Sequence, residues 1–98
     1  MDLQKEAERV SALRIGAAPD RELVTVAGTL RTVTLRPRGG VPALEAELSD
    51  GTGTLTLLWL GRRRIAGIGP GRSIEVTGRI GVHGGVRLMY NPRYNLRY

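Results

Sequence analysis

The chain has 98 residues, which we expect to form one small domain without room for a second. Hydrophobic residues make up 41% and charged residues 24%, a globular composition. Because cysteine is absent, the sequence excludes disulfides, thiolate metal ligands and a thiol nucleophile, and indicates a reducing cytoplasm.

The net charge of +6 is distributed unevenly along the chain. Residues 1–50 carry −1, whereas residues 51–98 carry eight arginines against one acidic residue, Glu75. Such asymmetry predicts a polyanionic partner, although arginine used as a general soluble cation explains it equally well. The apolar runs are shorter than the roughly 20 residues of a membrane span, so we expect no membrane partner.

The first segment, residues 2–15, has apolar side chains at helical spacing. The pattern predicts an amphipathic helix that packs on the domain or on another subunit. Gly16 and Pro19 end it, so residues 1–18 are expected to be a helix and linker.

From Glu22 onward the hydrophobic period changes to two. It predicts a strand of about a dozen residues ending at Leu35, with Gly28 placed for a bend. Residues 44–48 and 54–60 are predicted to form a hairpin across the Asp-Gly-Thr-Gly turn at 50–53. Residues 61–71 interrupt the pattern, and residues 74–80 and 86–90 predict a fourth and a fifth strand.

Five strands within residues 22–98 predict an all-β domain: a five-stranded Greek-key OB-fold barrel with a short N-terminal α-helix. An SH3-like barrel is the competing architecture. It would have shorter first strands and no interruption at residues 61–71.

Several motifs together carry a family resemblance over residues 22–96. They are the "VAGT" of the first strand, the "SDGTG" turn before an aliphatic strand ending in "WL", the "GRSIEVTG" fourth strand and "YNP" near the end. In this order they resemble the OB-fold nucleic-acid-binding domains typified by the wedge domain of the RecG branch-migration helicase. The resemblance implies single-stranded or branched nucleic acid as ligand, and binding rather than chemistry. Because these 98 residues include no motor domain, which the helicase has, we expect no ATP-driven strand separation.

An OB-fold ligand usually crosses strands two and three between the loops that join strands one and two and strands four and five. Arg36 and Arg38 lie in the first loop, and Arg79 and Arg87 flank the second, which has His83 at its tip. These arginines are predicted to hold phosphates, unless they are simply solvated.

The strands between these loops favour binding less clearly. The alternation points Glu45 and Glu47 outward, where two carboxylates repel phosphate. Trp59 shares the inward face of Leu55 and Leu57, so it is predicted to be a core residue. No outward aromatic residue is predicted on strands two and three.

The remaining predicted contacts follow the third strand and close the chain. Arg62, Arg63 and Arg64 form the densest positive run. In the tail "YNPRYNLRY", the alternation that places Val86 and Leu88 inward predicts Tyr90 as a core residue at the bottom of the barrel. If the strand stays extended, Tyr94, Leu96 and Tyr98 share its side and Arg93 and Arg97 are exposed, with Tyr94 and Tyr98 open as base stackers. The predicted nucleic-acid-binding residues are Arg36, Arg38, Arg62, Arg63, Arg64, Arg79, Arg87, Arg93, Arg97 and Tyr94.

Catalysis is not expected from this inventory of residues. His83 is the only histidine and has no second nitrogen or sulfur ligand, so no metal and no cofactor are predicted. The sequence therefore predicts a non-enzymatic protein that binds single-stranded or branched DNA, or RNA. The alternative is a structural module that dimerises or docks on a protein partner.

Overall fold

The computed structural model describes residues 13–97, and these form an all-β structure. The strands are β1 (Leu23–Leu35), β2 (Ala43–Ser49), β3 (Thr54–Leu60), β4 (Ser73–Arg79), β5 (Gly81–His83), β6 (Val86–Tyr90) and β7 (Arg93–Leu96).

Most of the predicted N-terminal helix lies outside the described residues. Where its expected end is described, the chain is not α-helical: Leu13 forms a parallel bridge to Val26, and Ile15–Ala17 is a 3₁₀ turn. The predicted helix is therefore wrong at its C-terminal end.

All seven strands belong to one sheet, in the order β5-β6-β3-β2-β1-β4-β7. β1 pairs with β4 through its first half and with β2 through its second half, as its predicted length requires. The register shift lies between Leu30 and Thr32, not at Gly28. Gly28 has another role, because a Cβ there would lie 2.6 Å from the carbonyl oxygen of Ser49.

The predicted five-stranded barrel is not confirmed, because two features divide the sheet further. The loop predicted between strands four and five contains a short strand, β5, and the tail adds β7 to the edge of β4. β5 turns away to pair with β6, and a Cβ at Gly78 of β4 would lie 3.1 Å from Met89 Sδ of β6. The second strands from the two ends of the strand order, β6 and β4, thus approach each other.

The core contains the inward side chains that the alternation predicted on β1 to β4. Leu44, Leu48 and Leu57 are buried in it, and so is Trp59, whose indole Nε1 donates to the carbonyl oxygen of Pro92 at 3.0 Å. These four positions confirm the predicted parity of β2 and β3, and the predicted core position of Trp59.

The predicted parity of β6 is wrong. Met89 is fully buried in the core, whereas Tyr90 is 46% exposed. Leu88 is buried outside the core cluster, on the face that it shares by register with Thr56 of β3. Adjacent Leu88 and Met89 are both apolar, so the sequence alternation did not distinguish the two registers.

The parity changes again after β6, at Asn91. This residue has a left-handed backbone (φ 50°), and Pro92 follows it. As a result Tyr94 and Leu96 are half-buried against the core while Arg93 and Arg97 are exposed. The predicted sides of Tyr94, Leu96, Arg93 and Arg97 are therefore confirmed, although the strand before them has the opposite parity and Tyr98 lies outside the described residues.

Residues 13–20, the leading segment, are held against the hairpin between β2 and β3. Asp50 accepts hydrogen bonds from the backbone N–H of Ile15 at 2.8 Å and from the N–H and hydroxyl of Thr52 at 2.9 and 2.6 Å. The Thr52 hydroxyl also accepts from the N–H of Gly16 at 3.0 Å. Burial raises the pKa of Asp50, but its hydrogen bonds lower it more, so that the pKa lies below the ordinary 3.8.

Replacing Asp50 with Asn is expected to reduce the free energy of unfolding by about 1–2 kcal/mol at neutral pH, because the amide accepts fewer hydrogen bonds than the carboxylate. Because the folded-state pKa is lowered, the ionised carboxylate stabilises the fold in full above pH 3.8, and this stabilisation is lost as the pH falls below that value. Denaturant unfolding of both proteins should therefore show a difference that shrinks in acid.

Glu47→Gln on the same hairpin is the matched control and should leave the unfolding free energy nearly unchanged. A difference between wild type and Asp50→Asn as large at about pH 2 as at about pH 7 would contradict a role for the ionised carboxylate.

Candidate nucleic-acid interface

The sheet presents an outer face formed by the side chains of β3 and β6 that point away from the core. Its centre is Leu58, which is buried outside the core cluster, and Tyr90, which lies opposite it in the parallel register. Leu88 lies opposite Thr56 in the same way, two residues earlier in each strand. Leu58 and Leu88 are themselves buried, so the exposed ring of this face is Tyr90, beside the β5–β6 hairpin.

An aromatic pair stands on this outer face. The rings of His83 and Tyr90 have centroids 6.3 Å apart at 78°, an edge-to-face arrangement. The sequence prediction found no outward aromatic residue because it examined strands two and three and assigned Tyr90 to the core.

A shallow cavity of about 330 Å³ lies beside the aromatic pair. Arg79 and Arg21 line it together with Tyr90 and His83. Arg79 Nη1 donates to the backbone carbonyl oxygen of Arg21 at 2.7 Å, which orients the guanidinium next to the aromatic rings. Arg79, a predicted phosphate contact, is therefore placed beside an exposed ring, and Arg21 is a cation that sequence analysis missed.

Arg36 and Arg38, which are predicted to hold phosphates, form ion pairs with a carboxylate of the neighbouring strand. Arg38 Nη2 lies 2.9 Å and Arg36 Nε 3.5 Å from the oxygens of Glu45. Two arginines around one carboxylate leave a net positive charge. The repulsion that Glu45 was expected to exert on phosphate is offset by this pairing.

Arg87 is directed into the protein. Its Nε donates to Asp20 Oδ1 at 2.9 Å, its Nη1 to the carbonyl oxygen of Ile15 at 2.7 Å, and its Nη2 to that of Ala18. All three nitrogens thus hold the leading segment. Phosphate binding by Arg87 stays a prediction, and its geometry favours a structural role.

The other predicted residues lie at the end of β3 and on the tail. Arg62, Arg93 and Tyr94 line one cleft of about 660 Å³, whose floor includes Trp59. Arg63 faces the loop at 37–42, and Arg97 lies 3.8 Å from Glu75 on the β4–β7 side of the sheet. Arg64 is exposed and, within residues 13–97, forms no ion pair. The predicted set is therefore distributed over several surfaces.

Residues 13–97 contain no group of three or more histidine, cysteine or acidic side chains placed to hold a metal ion. None of the helical structure in this range is long and apolar enough to cross a bilayer.

Comparisons with known proteins bear on the fold. No protein-family model matches the chain, and no curated protein matches its sequence. Among solved structures, it is similar to the replication factor A related protein from Methanobacterium thermoautotrophicum, with a TM-score of 0.63 and 12% identity over 88% of this chain and 90% of that one. This likeness shows a shared fold and, with the strand order, supports the predicted OB type. The RecG resemblance stays a prediction.

Replacing Arg87 with Ala is expected to reduce the free energy of unfolding by about 2–3 kcal/mol, because two backbone carbonyls and Asp20 lose a charged donor. Denaturant titration measures this. Arg97→Ala is the matched control: its ion pair is long and half-exposed, so the loss should be about 0.5 kcal/mol or less. Equal losses in the two variants would contradict the structural role of Arg87.

Proposed function

We propose that this protein binds single-stranded nucleic acid, most directly single-stranded DNA, on the outer face and catalyses no reaction. The observation that carries the proposal is the exposed Tyr90 ring, packed edge-to-face on His83 and bordered by Arg79. Any base can stack on such a ring, whatever the sequence of the strand, and an adjacent guanidinium holds the neighbouring phosphate.

The fold supports this ligand. The outer face lies between the loop of Arg36 and Arg38 and the β5–β6 hairpin, the two loops between which OB-fold proteins bind oligonucleotides. The neighbour of similar fold is described as related to a replication factor. We infer further that the approach of β4 to β6 closes the sheet into an OB barrel, to which β7 is an added strand.

The charge distribution agrees with a polyanionic ligand. The balance of +7 in residues 51–98 includes Arg62, Arg63 and Arg64 at the end of β3. Counterion release from phosphates would make binding strongly dependent on salt concentration. Branched DNA, which the RecG resemblance implies, and RNA are the other ligands to compare, and the absence of cysteine suits a protein working in the cytoplasm.

Replacing Tyr90 with Ala is expected to weaken binding of a fluorescent single-stranded oligonucleotide about 5- to 100-fold, because a stacked base is lost. Tyr90→Phe keeps the ring and should bind like wild type. Since Tyr90 is exposed, thermal unfolding of both variants should stay close to that of wild type. Anisotropy titrations over a range of salt concentrations make the measurement.

Two results would contradict the proposed function. One is that no single-stranded, double-stranded or branched oligonucleotide binds wild type more tightly than about micromolar at low salt. The other is that Tyr90→Ala binds as tightly as Tyr90→Phe, which would exclude stacking on this ring.

The alternative, a protein-interaction module, is favoured by one edge of β1. Residues 32–35 pair with β2 on one edge. In the part of the chain that the structure describes, no strand pairs with their other edge, and Leu35 is exposed there. An open strand edge can pair with a strand of another molecule.

If this alternative holds, light scattering after gel filtration should show a dimer at high protein concentration. Thr34→Lys should then restore the monomer, because a charged side chain on an edge strand opposes pairing. A wild-type monomer at all concentrations would exclude self-association through this edge.

A further inference from the structure

The cleft at the end of β3 is separate from the outer face. It lies between the last residues of β3, the loop that begins at Arg62, and residues 91–95 of the tail. Its volume of about 660 Å³ is in the range of small-molecule sites. We propose that this cleft is a second binding site that takes one nucleotide unit, with the phosphate between Arg62 and Arg93 and the base beside Tyr94.

The aromatic wall of the cleft is held by the core. Tyr94 packs edge-to-face on Trp59, with ring centroids 6.0 Å apart at 79°. Trp59 is fixed in turn by its hydrogen bond to the carbonyl oxygen of Pro92. The half-buried Tyr94 ring is thus positioned before any ligand arrives, which lowers the ordering cost of binding a planar base.

The cations of the cleft differ from the four ion-paired arginines of the described residues. Arg36, Arg38, Arg87 and Arg97 each lie within 4 Å of a carboxylate oxygen. Within residues 13–97, Arg62 and Arg93 form no ion pair and donate no side-chain hydrogen bond.

No acidic side chain lines the cleft either. Two exposed guanidiniums with no carboxylate near them are suited to a phosphate group, which accepts charged hydrogen bonds from both.

Two amides complete the lining. Asn91 Oδ1 accepts a hydrogen bond from the N–H of Leu60 at 2.9 Å, so its NH₂ group remains as a donor. Asn95 is exposed at the rim. Amide groups pair with the polar edges of bases, so the cleft offers cations, a ring and base-edge partners in one place. A nucleotide is the ligand class that uses all three.

The inference rests on the proposed function in taking nucleic acid as the larger ligand, but a mononucleotide tests the cleft alone. Trp59 is the only tryptophan of the chain and forms part of the cleft, so its fluorescence reports occupancy directly. Excitation at the red edge of its absorption avoids absorption by adenine. Deoxyadenosine monophosphate, deoxyadenosine and inorganic phosphate are titrated separately.

We expect saturable quenching by deoxyadenosine monophosphate and much weaker binding of deoxyadenosine and of inorganic phosphate. Arg62→Ala and Arg93→Ala should each weaken the nucleotide about 5- to 20-fold, because each removes one charged donor to phosphate. Arg64→Ala is the matched control, an exposed arginine of the same run outside the cleft, and should leave the affinity unchanged. Tyr90→Ala should also leave it unchanged.

Three results would overturn the inference: absence of saturable quenching, equal weakening by Arg64→Ala and Arg62→Ala, or inorganic phosphate that binds as tightly as the nucleotide. Failure of the cleft is distinguishable from failure of the proposed function. If oligonucleotides still bind and depend on Tyr90, the outer face acts alone. If the nucleotide quenches Trp59 while no oligonucleotide binds, the proposed function is wrong and the cleft remains a nucleotide site.

Discussion

The fold depends on a single strand that hydrogen-bonds to two different neighbours. Thr29 of β1 is where the two ladders meet, since it lies opposite Ser73 of β4 and opposite Ser49 of β2. Beyond it, the N–H and carbonyl of Leu30 bond to residues 72 and 71, which lead into β4. Because β1 reaches both sides of the sheet, β4 is brought round to β6. The outer face and the cleft both depend on this arrangement.

Hydropathy alternation predicted the parts of the fold in which one face of a strand is apolar and the other is not. It succeeded for Leu44 to Leu48, where glutamates mark the solvent side, and for the length of β1. It failed at Leu88 and Met89, where both neighbours are apolar and only the three-dimensional packing decides. The parity of β6 is opposite to the predicted one, and the left-handed backbone of Asn91 reverses the parity again. The predicted side of Tyr94 was therefore correct, although neither deviation was predicted.

The sequence identified the arginines but could not identify their partners. Arg87 binds the carbonyl of Ile15, 72 residues away, and Trp59 packs against Tyr94, which lies 35 residues further along the chain. Pairings of this range are set by topology, which no local pattern encodes. Charge counts predicted a polyanion as the class of ligand, which stays a prediction, while the division of these residues between structural support, the β1–β2 loop and the cleft required the folded arrangement.

Asn91 lies between the outer face and the cleft. It follows Tyr90 of the outer face directly, lines the cleft, and fixes the end of β3 through Leu60. If ligands bind both surfaces as proposed, a ligand that shifts Asn91 at one of them is expected to change the affinity of the other, and the change is reciprocal by thermodynamic linkage. Only one peptide bond separates the two surfaces, so we expect the rigidity of this asparagine to influence whether the two ligands bind independently or cooperatively.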